Sequence, residues 1–164
     1  MKTLYLIGGT MGIGKTTVCQ VLKRELPNAV FLDGDWCWDA DPFQVNEGTK
    51  AMVIDNICHV LNNFLRCTAY ENVIFGWVIH QQAILDSILS RLETGGCQVK
   101  AISLVCTPEA LAERLQRDIC MGVRQPDVLG RSIQRLPLYQ DLDTVKLDVS
   151  GLTPQEAAGW IARL

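Results

Sequence analysis

No run of apolar residues in the sequence approaches the roughly 18 needed to cross a bilayer, so no transmembrane helix is expected. No C-x-x-C pair occurs among the seven cysteines (19, 37, 58, 67, 97, 106 and 120), which argues against a zinc site, and their odd number argues against a disulfide framework. Scattered through apolar segments, they are expected as buried, reduced thiols of a cytoplasmic protein. Basic residues do not predominate: 15 Lys and Arg stand against 18 Asp and Glu, a net charge of −3, so no overall positive field recruits nucleic acid. Linkers, repeats and low-complexity tracts are missing, and 48% hydrophobic residues exclude a disordered chain. Residues 1–164 are expected to form one domain. Met1-Lys2 runs straight into the first apolar segment, so no secretory leader is expected.

What is present begins at residue 8. Gly8-Gly9-Thr10-Met11-Gly12-Ile13-Gly14-Lys15-Thr16-Thr17 holds the pattern G-x-x-x-x-G-K-[ST] from Gly9 to Thr16. Ahead of it lies an apolar run of strand length, Leu4-Tyr5-Leu6-Ile7. After it Val18, Val21, Leu22 and Leu26 recur at helical spacing until Pro27. At an average Gly usage of about 7%, the fixed positions coincide by chance in well under about one chain in a hundred. Strand, glycine-rich turn and helix is the setting in which backbone N–H groups and a helix N-terminus wrap a phosphate. Lys15 then reaches the β- and γ-phosphates, and Thr16 offers a hydroxyl to Mg²⁺.

The remaining pattern alternates strands with helices. Strands are expected at 3–8, 29–32, 73–79, 99–106 and 145–149. Helices are expected at 15–26, 50–68 and 83–92, after Thr107-Pro108, and after Thr153-Pro154, where Thr caps and Pro occupies the first turn. Such alternation predicts βαβ units and a parallel α/β sheet covered on both faces. Ligands of these sheets sit beyond the carboxyl ends of the strands.

Three concentrations fall there. Asp33, Asp35, Asp39 and Asp41 lie in nine residues, and no Lys or Arg occurs between Arg24 and Lys50. If the chain stays extended through Gly34, Asp33 and Asp35 point the same way, as a base for a hydroxyl and a partner for Mg²⁺ hydration would. An Asp-Gly-Asp turn is the alternative. Trp36 and Trp38 are candidates for the wall of an acceptor pocket, or for packing on a neighbouring helix. Five of the nine arginines (114, 117, 124, 131 and 135) lie between strands four and five. Arg117 and Arg124 are expected to serve phosphate, Arg114 and Arg131 are secondary candidates, and Arg135 is assigned to the surface. The segment 119–130 carries Gly122, Pro126 and Gly130 and is expected to be a mobile lid. Strand three lacks any Asp or Glu, so the acid that P-loop ATPases and GTPases place there for Mg²⁺ is missing. His80, just past that strand, is a candidate for acceptor contact, and His59 is assigned to a helix surface.

The phosphate loop, the Phe31-Leu32-Asp33-Gly34-Asp35 run, the arginine-bearing helix at Leu111–Arg117 and the short lid together resemble the P-loop small-molecule kinases. That group includes shikimate kinase, gluconate kinase, adenylyl-sulfate kinase and chloramphenicol phosphotransferase. The resemblance implies a P-loop NTPase three-layer α/β sandwich with a five-stranded parallel sheet of order 2-3-1-4-5. It implies that Gly9, Gly12, Ile13, Gly14, Lys15, Thr16 and Thr17 hold ATP, and that Thr16 and Asp33 hold Mg²⁺. Asp33 or Asp35 would meet the acceptor hydroxyl, Arg117 and Arg124 would be lid arginines, and Ser150–Thr153 would border the adenine. The implied activity is transfer of the γ-phosphate to a hydroxyl of a small molecule. The alternatives are a nucleoside or nucleotide kinase, or a nucleotide-binding module with little turnover. Trp36-Cys37-Trp38 stands where those enzymes define their acceptor and matches none of them.

Overall fold

The computed structural model describes all residues, 1–164. Five parallel strands form one sheet in the order β2-β3-β1-β4-β5. They are β1 (Lys2–Gly8), β2 (Ala29–Asp33), β3 (Asn72–Gly76), β4 (Cys97–Val105) and β5 (Val145–Asp148). The order is the one implied by the resemblance. Alternation along each strand feeds two cores. Tyr5, Ile7, Ile74, Ile102 and Leu104 face one side, where α1 (Lys15–Glu25), α4 (Pro108–Cys120), α5 (Val128–Arg135) and α6 (Pro154–Ala162) pack. Leu4, Leu6, Val73 and Phe75 face the other, covered by α2 (Glu47–Arg66) and α3 (Gln82–Arg91). A strand buried on both faces has no polar side to show, which is why β1 and β3 read as continuous apolar runs.

The caps read from sequence hold: Thr107 accepts from Ala110 N at 3.2 Å and Thr153 from Glu156 N at 3.1 Å. Asn46 and Thr49 form a reciprocal capping box that starts α2. No helix is long and apolar enough to cross a membrane.

Four expectations need correction. First, β3 ends at Gly76, so Trp77-Val78-Ile79 already belongs to the loop beyond the strand. Second, the chain does not stay extended through Gly34: Gly34–Cys37 is a one-turn 3-10 helix capped by Asp33. Third, Gly130 does not interrupt a helix but lies inside α5, whose Val128 and Ser132 are buried, leaving 121–127 as the irregular part of the expected lid. Fourth, of the seven cysteines, all free, only Cys19 and Cys58 are buried, and Cys67 and Cys120 are exposed.

Candidate functional site

The phosphate loop leaves β1 at Gly8 and enters α1 at Lys15. Gly12 must be glycine on two counts. Its φ of +83° lies in the left-handed region, and a Cβ there would come within 2.3 Å of Leu115 Cδ2. Helix α4 therefore sits directly on the loop. The N-terminus of α1 has no side-chain cap and no acid in its first turn, so its free N–H groups and partial positive charge are left for an anion. Lys15 Nζ donates to Thr10 O at 3.0 Å. Burial of that ammonium pulls its pKa down to about 8, against the opposing pull of Asp35 and Asp33. A phosphate would relieve the penalty.

Asp33, at the end of β2, is buried and fully engaged. Its Oδ2 accepts from Thr16 Oγ1 at 2.7 Å, and its Oδ1 accepts from Asp35 N at 3.0 Å. The two aspartates thus differ in kind. Asp33 ties the loop hydroxyl to the 3-10 turn, while Asp35 is exposed on that turn with no side-chain partner. Gly34 between them is in contact with the indole of Trp77, where an added Cβ would lie 2.4 Å from Cγ. Gly34→Ala is accordingly expected to destabilise the fold by about 1–3 kcal/mol, the usual cost of overpacking, measured by chemical denaturation. An unchanged midpoint would mean that the indole swings away freely.

A cavity of about 490 Å³ runs from this loop between α4 and α6, lined by Lys15, Thr16, Asp33, Asp35, Arg117 and Arg124 among others. Val149, Leu152, Thr153 and Pro154 line it too, so of the segment 150–153 expected beside an adenine, Leu152 and Thr153 face it. Arg114 also lines it, but both its terminal nitrogens are committed, one to Ile13 O and the other to Val149 O, each at 2.7 Å. It ties the phosphate loop to the end of β5. Arg124 is paired with Asp118 at 3.1 Å and lies near enough to Lys15 to lower its pKa, so it already stands over the loop. Arg117 pairs with Glu113 at 3.5 Å, and Arg131 with Asp127 at 3.4 Å, outside the cavity.

A second cavity of about 610 Å³ opens on the other side of Lys15 and Asp35, between the 3-10 turn, α2 and the loop after β3. Met11, Lys15 and Asp35 line both cavities. Trp38 and Trp77 face the second one, as does His80, whereas Trp36 does not. Trp36 packs edge-on against Phe31, centroids 5.2 Å apart, beside a separate open hollow that also holds His59. Arg135, assigned to the surface from sequence, is half-buried and lines the second cavity. Burial and the nearby Arg135 charge both hold the His80 imidazole below its usual pKa, and its Nδ1 is buried without a partner.

Sequence reasoning also missed the supports of this site. Thr10 and Ser132, both fully buried, are hydrogen-bonded through their hydroxyls at 2.9 Å, and Ser132 donates on to Met11 O. That junction fixes α5, and with it Arg135 one turn later, to the phosphate loop. Tyr139, fully buried, donates to Val78 O at 2.6 Å. Ile79 follows at φ +27°, a costly conformation for a β-branched residue, and it delivers His80 to the cavity. No local pattern marks these residues, because their partners lie 122 and 61 positions away.

A family model described as AAA domain matches residues 6–128, more than half of the chain. The chain belongs to this family. No curated protein matches the AAA-domain chain by sequence. Its fold is shared with the tunicamycin resistance protein of Deinococcus radiodurans, at a TM-score of 0.77 and 24% identity over 99% of this chain and 95% of that one. A gluconokinase from Sinorhizobium meliloti 1021 superposes with a TM-score of 0.67 and 18% identity, covering 98% of this chain and 92% of its own. The APS kinase of Mycobacterium tuberculosis, in complex with AMPPNP and APS, gives 0.68 and 14%, covering 99% and 96%. The AAA-domain chain thus has the fold of the P-loop small-molecule kinases.

Proposed function

We propose that the protein is a phosphotransferase that moves the γ-phosphate of ATP, with Mg²⁺, to a hydroxyl of a small molecule. One observation carries the reading: a phosphate-loop cavity and a second, differently lined cavity meet at Lys15 and Asp35. A binder of nucleotide alone has no use for the second cavity opening on the same lysine. ATP fits the first cavity on chemical grounds, since the uncapped α1 N-terminus, Lys15, Arg117 and Arg124 all favour polyphosphate. Thr16 and Asp33, hydrogen-bonded at 2.7 Å, are the oxygen donors suited to Mg²⁺ or its waters. The chain has no cluster of three metal-ligating side chains, which suits an ion held mainly by phosphates and water. Bound there, Mg²⁺ supplies charge neutralisation at the phosphate oxygens.

In this reading Asp35 accepts the hydroxyl proton as the acceptor oxygen bonds to the γ-phosphorus. The bond from that phosphorus to the departing ADP oxygen breaks in line. Lys15, Arg117 and Arg124 stabilise the charge spread over the moving phosphoryl group. Residues 121–127 act as the lid: turn hydrogen bonds to Arg117, Asp118 and Ile119 and the ion pairs of Arg124 with Asp118 and Asp127 with Arg131 hold the segment, and Met121 and Val123 are 73% and 67% exposed. Amide hydrogen exchange over 121–127 is expected to slow markedly with a non-hydrolysable ATP analogue plus acceptor. Protection already complete in the free protein contradicts the lid.

The defining experiment is ADP release from ATP and Mg²⁺ across a panel of small alcohols, with the phosphorylated product identified by mass. Alcohol-independent ADP release, or none, overturns the reading. A pH prediction accompanies it. With Lys15 near pKa 8 in the free protein, nucleotide polyanion restores the ammonium, so binding at pH 9 takes up close to one proton and progressively fewer towards pH 7. Calorimetry in two buffers of different ionisation enthalpy measures this directly; equal heats at pH 9 count against Lys15 as the phosphate ligand.

A further inference from the structure

The second cavity is lined unlike a sugar site. No Ser, Thr or Asn side chain faces it, and Gln81 is its one side-chain amide. Its hydrogen-bonding side chains are Lys15, Asp35, Lys50, His80, Gln81 and Arg135, and nine apolar residues with Gly34 make up the rest, so a polyol hydroxyl turned to those apolar walls loses water without gaining a partner. Its walls are instead the aromatic rings of Trp38, Phe43 and Trp77, with Val53, Ile54 and Ile84 behind them. Trp38 and Phe43 stack with centroids 4.3 Å apart, and Trp77 packs against Gly34. Such walls accept a flat apolar body.

Asp35 and Arg135 both line this apolar space, with Lys15 and Lys50. Asp35 stands at the junction with the phosphate loop. Arg135, on α5, forms no ion pair, although the other arginines of α4 and α5 are paired or hydrogen-bonded. Lys50, on the rim, is already paired with Glu47 at 3.6 Å. Arg135 is half-buried, held in place through Ser132 and Thr10, and close enough to His80 to depress its pKa. A half-buried guanidinium without a carboxylate is poised for an anion from the ligand.

We propose that the acceptor is an amphipathic hydroxy acid: an aromatic or comparably flat apolar body held by Trp38, Phe43 and Trp77, a hydroxyl at Asp35, and an anionic group on Arg135. The proposal rests on the kinase reading for the role of the hydroxyl, but its binding chemistry is testable without phosphoryl transfer. Arg135 is the specificity-determining residue for the anion.

Equilibrium binding to the full chain, without nucleotide, is followed by tryptophan fluorescence, since Trp38 and Trp77 face the ligand. The probes are 6-(hydroxymethyl)-2-naphthoate, its methyl ester, and gluconate as an open-chain polyol acid. The naphthoate is expected to bind at least about tenfold more tightly than either of the others. Arg135→Gln is expected to weaken the naphthoate at least about tenfold and abolish its advantage over the ester, with Arg135→Lys recovering part of it. Circular dichroism and thermal unfolding confirm that both variants fold. Gluconate binding as tightly as the naphthoate, an unchanged acid-to-ester ratio in Arg135→Gln, or no binding of any probe at millimolar concentration overturns the proposal. Failure of the kinase reading would look different: probe binding as expected, but no ATP-dependent product from any alcohol.

Discussion

Asp35→Asn is expected to lower turnover by about 10²–10⁴-fold, the range for removing a positioned general base, while leaving nucleotide affinity nearly unchanged. The expectation follows from the unequal engagement of the two aspartates. Asp35 is exposed, unpartnered and shared by both cavities. Asp33 accepts from Thr16 Oγ1 and from the Asp35 amide and is 7% exposed. Asp33→Asn should therefore show a different pattern: weaker Mg²⁺-nucleotide binding and a loss of stability of about 1–3 kcal/mol, as the buried acceptor pair is disturbed. Steady-state kinetics, nucleotide titration and denaturation on the two variants separate the cases. If both lose nucleotide affinity equally and keep the same residual turnover, the pair is a single structural turn and Asp35 is no base.

The phosphate loop and the sheet were legible because their signals are local. Glycines at fixed spacing, apolar runs of strand length and Thr-Pro helix starts each specify a short piece of backbone, and parallel alternation leaves few topologies. The missing acid of strand three was legible too. Its consequence was not, because only the fold lays Trp77 under Gly34 and turns the lost metal ligand into a cavity wall. Asp33 and Asp35 were found as residues but misjudged in geometry. Alternation assumes an extended chain, and the Asp33 carboxylate instead accepts from the Asp35 amide and caps a 3-10 turn. Arg135 was missed for a similar reason. Pro126 and Gly130 read as breakers, yet a helical glycine costs only about 1 kcal/mol, and burial of Val128 and Ser132 outweighs it. Helix α5 then carries Arg135 into the second cavity.

Replacing Lys15 is expected to move activity and stability in ways that a purely structural lysine would not. Lys15→Met keeps the stem and removes the charge. Turnover should fall by about 10²–10³-fold or more, the usual loss when one preorganised charge at a transition state is removed, and ATP affinity should fall with it. Stability carries an independent signature. In the ligand-free protein the Lys15 pKa is about 8 because burial disfavours the ammonium, whereas the unfolded chain has the ordinary value near 10.5. The folded pKa is lowered, so between about 8 and 10.5 the unfolded state binds more protons and this lysine's burial penalty is progressively lifted as pH rises. Below pH 8 the penalty is present in full. The unfolding free energy of the wild type, relative to Lys15→Met, should thus improve by about 1–2 kcal/mol between pH 7 and 10. That figure is less than the full shift implies, because the half-buried side chain keeps partial access to water. Loss of the bond to Thr10 O offsets the balance at every pH alike and does not change the slope. Saturating phosphate should flatten the pH dependence for the wild type, since an anion at the α1 N-terminus keeps the ammonium charged, and should leave the variant unaffected. A pH-independent difference between the two proteins, with or without phosphate, would mean that Lys15 is not held against its charge, and would remove the electrostatic basis for placing the transferred phosphoryl group beside it.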